Sequence, residues 1–183
     1  MIVLVTTLNN FLGTKDLGIT YERGSGLELE LWTDSNYAGK ADDRRSVSGI
    51  AVMLCHGVGW ASSTHKVISV STTEAEYISI GDGVKEALFA KGVLSFLVPE
   101  LSEKCIDVFV DNAGAISLAT NPLSSARTKH IDVRFHFIRE LVRSKTISIK
   151  YVPTADQHAD ILTKPLTGVC FEKHRGFLMN IPV

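Results

Sequence analysis

Four carboxylates in this 183-residue chain fall where folds of alternating strands and helices often build chemistry. Asp34 closes a predicted strand, and Glu76 lies in the first turns of a predicted helix. Asp111 closes a second strand and is followed by Asn112, and Asp160 lies in the first turns of a later helix. Acids at the C-terminal ends of apolar strands point into the region where α/β folds place their sites, and helix starts on that side can add to them. Four carboxylates in one place repel one another and need cations to neutralise them. Hard oxygen ligands favour Mg²⁺, with Mn²⁺ as an alternative. Two such ions about 3.5–4 Å apart form a device for in-line attack on a phosphodiester: one activates water, the other steadies the leaving oxygen, and no nucleophilic side chain is required. The same placements also suit plainer roles. An acid at a strand end is a common turn former, and an acid in a first helical turn complements the helix dipole.

The elements that must position these acids can be read from periodicity. In Leu27–Asp34, leucines alternate with glutamates at period 2, which predicts a strand. Further strands are expected over Val47–Cys55 and around Val58–Ser62, closing a meander. Ser71-Thr72-Thr73-Glu74 fits a capping box, and the helix it opens should run to just before Pro99. Tyr77, Ile80, Val84 and Leu88 give that helix its apolar spacing. Gly81, Gly83 and Gly92 are poor residues there, each costing about 0.5–1 kcal/mol against alanine. A strand over Cys105–Asp111 follows, then a short helix over Ala113–Ala119 that stops before Asn121-Pro122. A helix holding Ile131, Phe135, Ile138 and Val142 comes next, followed by a strand with Ile147, Ile149 and Tyr151. Thr154-Ala155-Asp156-Gln157 reads as a second capping box, opening a last helix with Ala159 and Leu162. The order β-β-β-α-β-α-α-β-α indicates an α/β fold, a mixed sheet covered by helices.

Composition limits the alternatives. Twenty acids against nineteen bases give a formal net charge of −1, which rules out a globally basic nucleic-acid coat but not local patches. The three cysteines, Cys55, Cys105 and Cys170, form no C-x-x-C, so neither a disulfide framework nor a cysteine zinc cluster is expected, and they are read as buried or inert. No apolar run reaches the ~18 residues of a membrane span, and no membrane partner is expected. Met1–Leu8 is apolar but short and lacks a basic start, so no signal peptide is expected. Residues 1–26 read as a lead-in ending in the linker-like Gly24-Ser25-Gly26, residues 27–166 as the ordered domain, and residues 167–183 as a C-terminal tail.

Several segments, taken in order, resemble the ribonuclease H domain of copia-type LTR-retrotransposon polyproteins. They are Thr33–Gly39, Asp42–Gly49, Ser71–Tyr77, Asp111-Asn112, Ala126–Asp132, Tyr151–Thr154 and Ala159–Leu166. Gly13–Gly18 also resembles the segment that joins the reverse transcriptase to this domain in the family. The resemblance implies an RNase H-like fold: a mixed five-stranded sheet, three antiparallel strands then two parallel, with helices on both faces. It implies metal-dependent cleavage of the RNA strand of RNA/DNA hybrids using two Mg²⁺ ions, a reverse transcriptase domain upstream, and a cytoplasmic setting in a retrotransposon particle. Asp34, Glu76, Asp111 and Asp160 match the four metal-binding acids of the family, whereas Glu74 is assigned to the capping box. The chain departs from relatives at Asn36, where many carry an acid, and at the three helix glycines. It also has no histidine between Tyr151 and Gln157, and His158, two residues from Asp160, is expected to point elsewhere. The other histidines show no metal-ligand spacing and read as surface or hydrogen-bonded groups.

The implied substrate needs a basic track, recognised by backbone shape and 2′-hydroxyls. Residues 127–150 carry seven bases against two acids, led by Arg127, Lys129 and Arg134, and Arg44-Arg45 forms a second candidate patch. A solvated amphipathic helix explains the first cluster equally well. An alternative of another class is a non-catalytic, repurposed fragment that binds proteins, in one form secreted by a pathogen and acting on host proteins. The Arg-x-Leu-Arg motif of such effectors is absent, since Arg139-Glu140-Leu141-Val142-Arg143 carries one residue too many. A resolvase or integrase core of the same superfamily is disfavoured by the length of the match, Leu27–Leu166.

Overall fold

Alternation in the first strand organises the molecule. The computed structural model describes residues 16–24, 26–54, 56–121 and 132–181, without the side chains of 56–58 and 132–135. Strand β1 (Leu29–Asn36) is central, flanked by β2 (Val47–Leu54) and β4 (Ile106–Val110), with β3 (His56–Thr64) and β5 (Ile147–Tyr151) at the edges. The order is β3-β2-β1-β4-β5; β1, β2 and β3 pair antiparallel, and β1, β4 and β5 pair parallel. This is the expected mixed sheet. The parallel pairing needs crossovers, and these are helical.

Helix α1 (Thr72–Leu97) links β3 to β4; α2 (Ala113–Thr120) and α3 (Asp132–Arg143) link β4 to β5. Leu29, Leu31, Ile50, Val52, Ile106, Val108 and Ile147 face these helices and meet Tyr77, Ile80, Val84, Ala115 and Ile138. The opposite face carries a second core of Trp32, Ala51, Met53, Val152 and Ala159, with Phe109, Leu162 and Leu178 packed against it. Apolar burial on both faces explains why β1 stays buried from Leu31 through Asp34 instead of alternating to the end.

The capping box at Ser71 forms. Its hydroxyl accepts from the Glu74 amide at 3.1 Å, and Glu74 reaches back to the Val70 amide at 2.7 Å. Gly83 has a packing reason. A Cβ there would lie 2.8 Å from Thr33 Cγ2 and 3.1 Å from Leu31 Cδ1, so glycine lets α1 approach β1, whereas Gly92 meets nothing.

Two expectations change. The second capping box does not open an α-helix. Thr154–Asp156 and His158–Leu162 are separate 3₁₀ helices: the Thr154 side chain is engaged elsewhere, and Gln157 caps the second of the two, its Oε1 accepting from the Ala159 amide at 3.2 Å. The Thr154 hydroxyl donates to Asp111 Oδ2 at 2.7 Å, and the buried Gln157 Nε2 donates to the Thr33 carbonyl at 3.0 Å. The stretch read as a tail contains a fourth helix, α4 (Gly168–Met179), anchored by Thr20 N donating to the Met179 carbonyl at 2.9 Å. No helix among the described residues is long and apolar enough to cross a membrane.

Candidate metal centre

The site forms where β1 and β4 end beside the start of α1. Asp34 sits two residues before the end of β1, Asp111 immediately follows β4, and Glu76 lies in the second turn of α1. One carboxylate oxygen from each of the three lies within 4.8 Å of the others. Asp34 and Glu76 are 3% and 5% exposed, so water screens little of their repulsion. Glu76 Oε1 accepts from the Ser35 amide at 3.1 Å, while Oε2 is buried without a hydrogen-bond partner. Burial, then Asp34 and Asp111, push the Glu76 carboxyl up to about 9. A buried carboxylate oxygen without a donor, on a residue clustered with two further acids, is a position that a cation satisfies.

Asp160, the fourth acid singled out in the sequence, lies outside this close trio. It is buried on the 3₁₀ helix His158–Leu162, with Oδ1 lacking a partner and Oδ2 2.8 Å from Lys164 Nζ. Burial raises its carboxyl to about 6; the charges of Asp34 and Asp111 add to this and the Lys164 hydrogen bond opposes it. Three residues on, Thr163 binds the segment to the cluster: its hydroxyl donates to Asp34 Oδ2 and its carbonyl accepts from Asn36 Nδ2 at 3.2 Å. Thus Asn36, set aside in the sequence as a departure from relatives, fastens the loop that carries Asp160.

Sequence reasoning missed Thr154, Thr163 and Lys164 as parts of this site. Thr163 and Lys164 lie inside the segment Ala159–Leu166 that carried the resemblance, which was the available signal. The donor set is all carboxylate oxygen, which fits a hard divalent ion. Asp34, Glu76 and Asp111 would hold it, with Asp160 at the margin.

The basic candidates are less clear-cut. Arg127 and Lys129 lie outside the described residues, and Arg134 lies on α3 with its side chain outside the description. Three other bases of that cluster serve the fold: Arg139 Nε donates to the Leu118 carbonyl at 3.0 Å, Arg143 pairs with Glu140, and Lys150 pairs with Asp107. Arg44 and Arg45 are exposed in the turn that leaves β1 after Asp34. Arg45 Nε is 3.4 Å from Asp43, and Arg44 takes a φ of 54°.

Among the histidines, His65 is buried between Ser48 Oγ at 2.6 Å and Ser69 Oγ at 3.2 Å. His158 points away from the acids, stacks on Phe177 at 3.6 Å between centroids, and meets His174 Nδ1 to Nδ1 at 3.0 Å. Of the alternatives expected for the cysteines, buried or inert, burial does not hold for Cys105, just before β4, or Cys170, on α4, which are exposed; Cys55 lies outside the described residues. Partial burial and Asp107 push the Cys105 thiol up, away from the thiolate.

With this geometry in hand, the chain can be compared with known proteins. No family model matches it. It is 38% identical over 170 residues to the retrovirus-related Pol polyprotein from transposon RE2 of Arabidopsis thaliana, a match covering 92% of this chain and 12% of that one. Its homologues are retrovirus-related Pol polyproteins. The chain spans about an eighth of the length of these polyproteins. It is also 30% identical over 87 residues to secreted RxLR effector protein 161 of Plasmopara viticola, covering 47% of this chain and 61% of that one.

Solved structures give the fold. The N-terminal RNase H domain of a Mycobacterium tuberculosis protein matches with a TM-score of 0.53 at 12% identity, covering 82% of this chain and 97% of that one. LC11-RNase H1 in complex with RNA/DNA hybrid matches at 0.53 and 11% identity, covering 74% and 94%. The prototype foamy virus protease–reverse transcriptase matches at 0.53 and 15%, covering 87% of this chain and 21% of that one. The fold is RNase H-like.

Proposed function

We propose that this chain cleaves the RNA strand of RNA/DNA hybrids by metal-dependent hydrolysis, as the ribonuclease H part of a larger polyprotein that carries a reverse transcriptase. The observation that carries the reading is the trio Asp34, Glu76 and Asp111, with carboxylate oxygens within 4.8 Å of one another and the first two acids buried. The unpartnered oxygens of Glu76 and Asp160 support it. So do the solved complex of a like fold with RNA/DNA hybrid and the like fold within a protease–reverse transcriptase. Divalent ions held by these acids, two Mg²⁺ in the fullest form of the proposal, supply an activated water and a counter-charge for the leaving oxygen. The chain's own part is to fix the carboxylates: the Ser35 amide orients Glu76, the Thr154 hydroxyl orients Asp111, and the Thr163 hydroxyl orients Asp34. Arg44 and Arg45 stand exposed on the turn after β1 as phosphate contacts, and Arg127, Lys129 and Arg134 are the further candidates.

The test is cleavage of a labelled RNA/DNA hybrid by purified protein in Mg²⁺, Mn²⁺ or EDTA, beside the variant D34N/D111N. Metal-dependent loss of the RNA strand, abolished in EDTA and in the variant, is expected. Cleavage unaffected by the two substitutions would refute the assignment. A second reading, protein binding without catalysis, is favoured by the match to the Plasmopara viticola effector. A folded protein that binds no divalent ion and cuts no hybrid would select it.

A further inference from the structure

Among the described residues, Lys164 is the basic side chain paired with one of the four candidate acids, Asp160. Its Nζ lies 2.8 Å from Asp160 Oδ2, four residues back along the chain. The pair differs in kind from the surface pairs Lys85–Asp82, Lys150–Asp107 and Arg143–Glu140, whose acids are 35–66% exposed. The side chain of Asp160 is 6% exposed, and its other oxygen has no partner. An exposed pair is screened and contributes little, whereas a pair on a buried carboxylate within reach of further acids retains its strength.

The local backbone gives Lys164 this position. The 3₁₀ segment ends at Leu162, the Lys164 amide donates to the Asp160 carbonyl at 3.2 Å, and Pro165 prevents the turn from continuing. The Thr163 hydroxyl anchors the same turn to Asp34. The ammonium is thereby held on the acid that stands outside the close trio. Lys164 itself remains 35% exposed, so its four-carbon stem has room to swing to solvent.

We infer that Lys164 is a built-in counter-ion that competes with a divalent cation for Asp160. It holds Asp160 in place while the centre is free of metal and releases it when an ion engages that carboxylate. The inference rests on the metal reading above. It makes Lys164 a positioning residue that lowers divalent affinity while keeping the metal-free centre folded.

The test is calorimetric titration of Mn²⁺ into the full chain and into K164M, K164R, D160N and D160N/K164M, with folding checked by circular dichroism. K164M should bind Mn²⁺ about tenfold more tightly, since one competing unit charge is removed from a poorly screened site. K164R should behave like the parent, and the effect should vanish in the D160N background. The metal-free thermal midpoint of K164M should fall and recover with Mn²⁺. Equal or weaker affinity in a folded K164M overturns this inference alone. Absence of binding in both the parent and K164M overturns the metal reading with it. A measurement on the unsubstituted protein covers the case in which K164M does not fold: lysine side-chain NMR during Mg²⁺ titration. Movement of the Lys164 Cε signal with saturation supports the competition, and a signal unmoved at saturation overturns it.

Discussion

Asp160 and His158 stand two residues apart on one 3₁₀ helix, both at least nine-tenths buried, and they face opposite environments. Asp160 turns toward Asp34 and Asp111, where like charges accumulate. His158 turns into rings, stacked on Phe177 and edge-on to Trp32 at 4.6 Å. Burial pushes each group toward its neutral form, raising the acid to about 6 and, with His174 and Lys173 adding to it, lowering the imidazole to about 4. For the histidine, neutrality suits the fold, since one Nδ1 of the His158–His174 pair must donate while the other accepts. For the acids, neutrality offsets the repulsion of like charges, and a bound cation would favour the charged forms instead. One buried segment thus carries a histidine whose partner the protein supplies and an acid with an oxygen that has none.

The sharpest way to break this comparison is on the acid side. D34N or D111N alone should lower hybrid cleavage by about 10²–10³-fold or more, on the scale of losing a principal electrostatic contact, while circular dichroism stays unchanged. Loss of fold instead would show that these acids are structural. On the ring side the expected ranking is reversed. Trp32→Ala removes a side chain 6% exposed that stacks on Phe109 at 4.2 Å, and it should cost about 3–5 kcal/mol in urea unfolding.

The two regions should also respond to pH with opposite signs. Glu76 is raised from 4.5 to about 9 in the folded protein. Between those values the unfolded chain has lost a proton that the native state keeps, so metal-free stability falls as pH rises through that window. His158 is lowered from 6.5 to about 4, so its contribution is complete above 6.5 and is lost as pH falls toward 4. Each limb has a slope of at most about 1.4 kcal/mol per pH unit per group. The windows overlap between pH 4.5 and 6.5, where the opposed slopes largely cancel. Thermal scans without metal should therefore show the parent falling above pH 6.5, E76Q losing that fall and rising with pH below 6.5, and H158F falling already from pH 4.5. A parent flat from pH 6.5 to 9 would contradict the Glu76 assignment, and an H158F profile matching the parent below 6.5 the His158 one.

A smaller contrast runs along α1. Gly83→Ala places a methyl 2.8 Å from Thr33 Cγ2 beside the site strand and should cost about 1–3 kcal/mol. Gly92→Ala, in open space, should stabilise by about 0.5–1 kcal/mol. Equal effects in chemical unfolding would mean that Gly83 is not needed for the approach of α1 to β1.

Much of this was legible in the residues themselves. Leu29 and Leu31 at period 2, Tyr77, Ile80 and Val84 at helical spacing, and the Ser71 capping box are local signals, and local signals set element type. Asp34, Glu76 and Asp111 could be singled out because each sits at the end of such an element. The segment 153–164 was not legible in the same way. Thr154 and Gln157 have the residue types of a capping box, yet the Thr154 hydroxyl donates to Asp111, 43 positions away, and Gln157 donates to Thr33, 124 positions away, while its Oε1 caps the following 3₁₀ turn at Ala159. A hydrogen bond to a remote strand end outcompetes a local cap once the sheet has buried both groups, and the α-helix is replaced by two 3₁₀ turns.

The sequence by itself therefore determined the element order, the mixed α/β architecture and the acids at the element ends, because periodicity and capping act within a few residues. Only the tertiary structure decided that Thr163 fastens Asp34, that Lys164 takes Asp160, and that His158 turns away to His174. Those pairings follow from which buried donors and acceptors the packed sheet leaves within reach of one another.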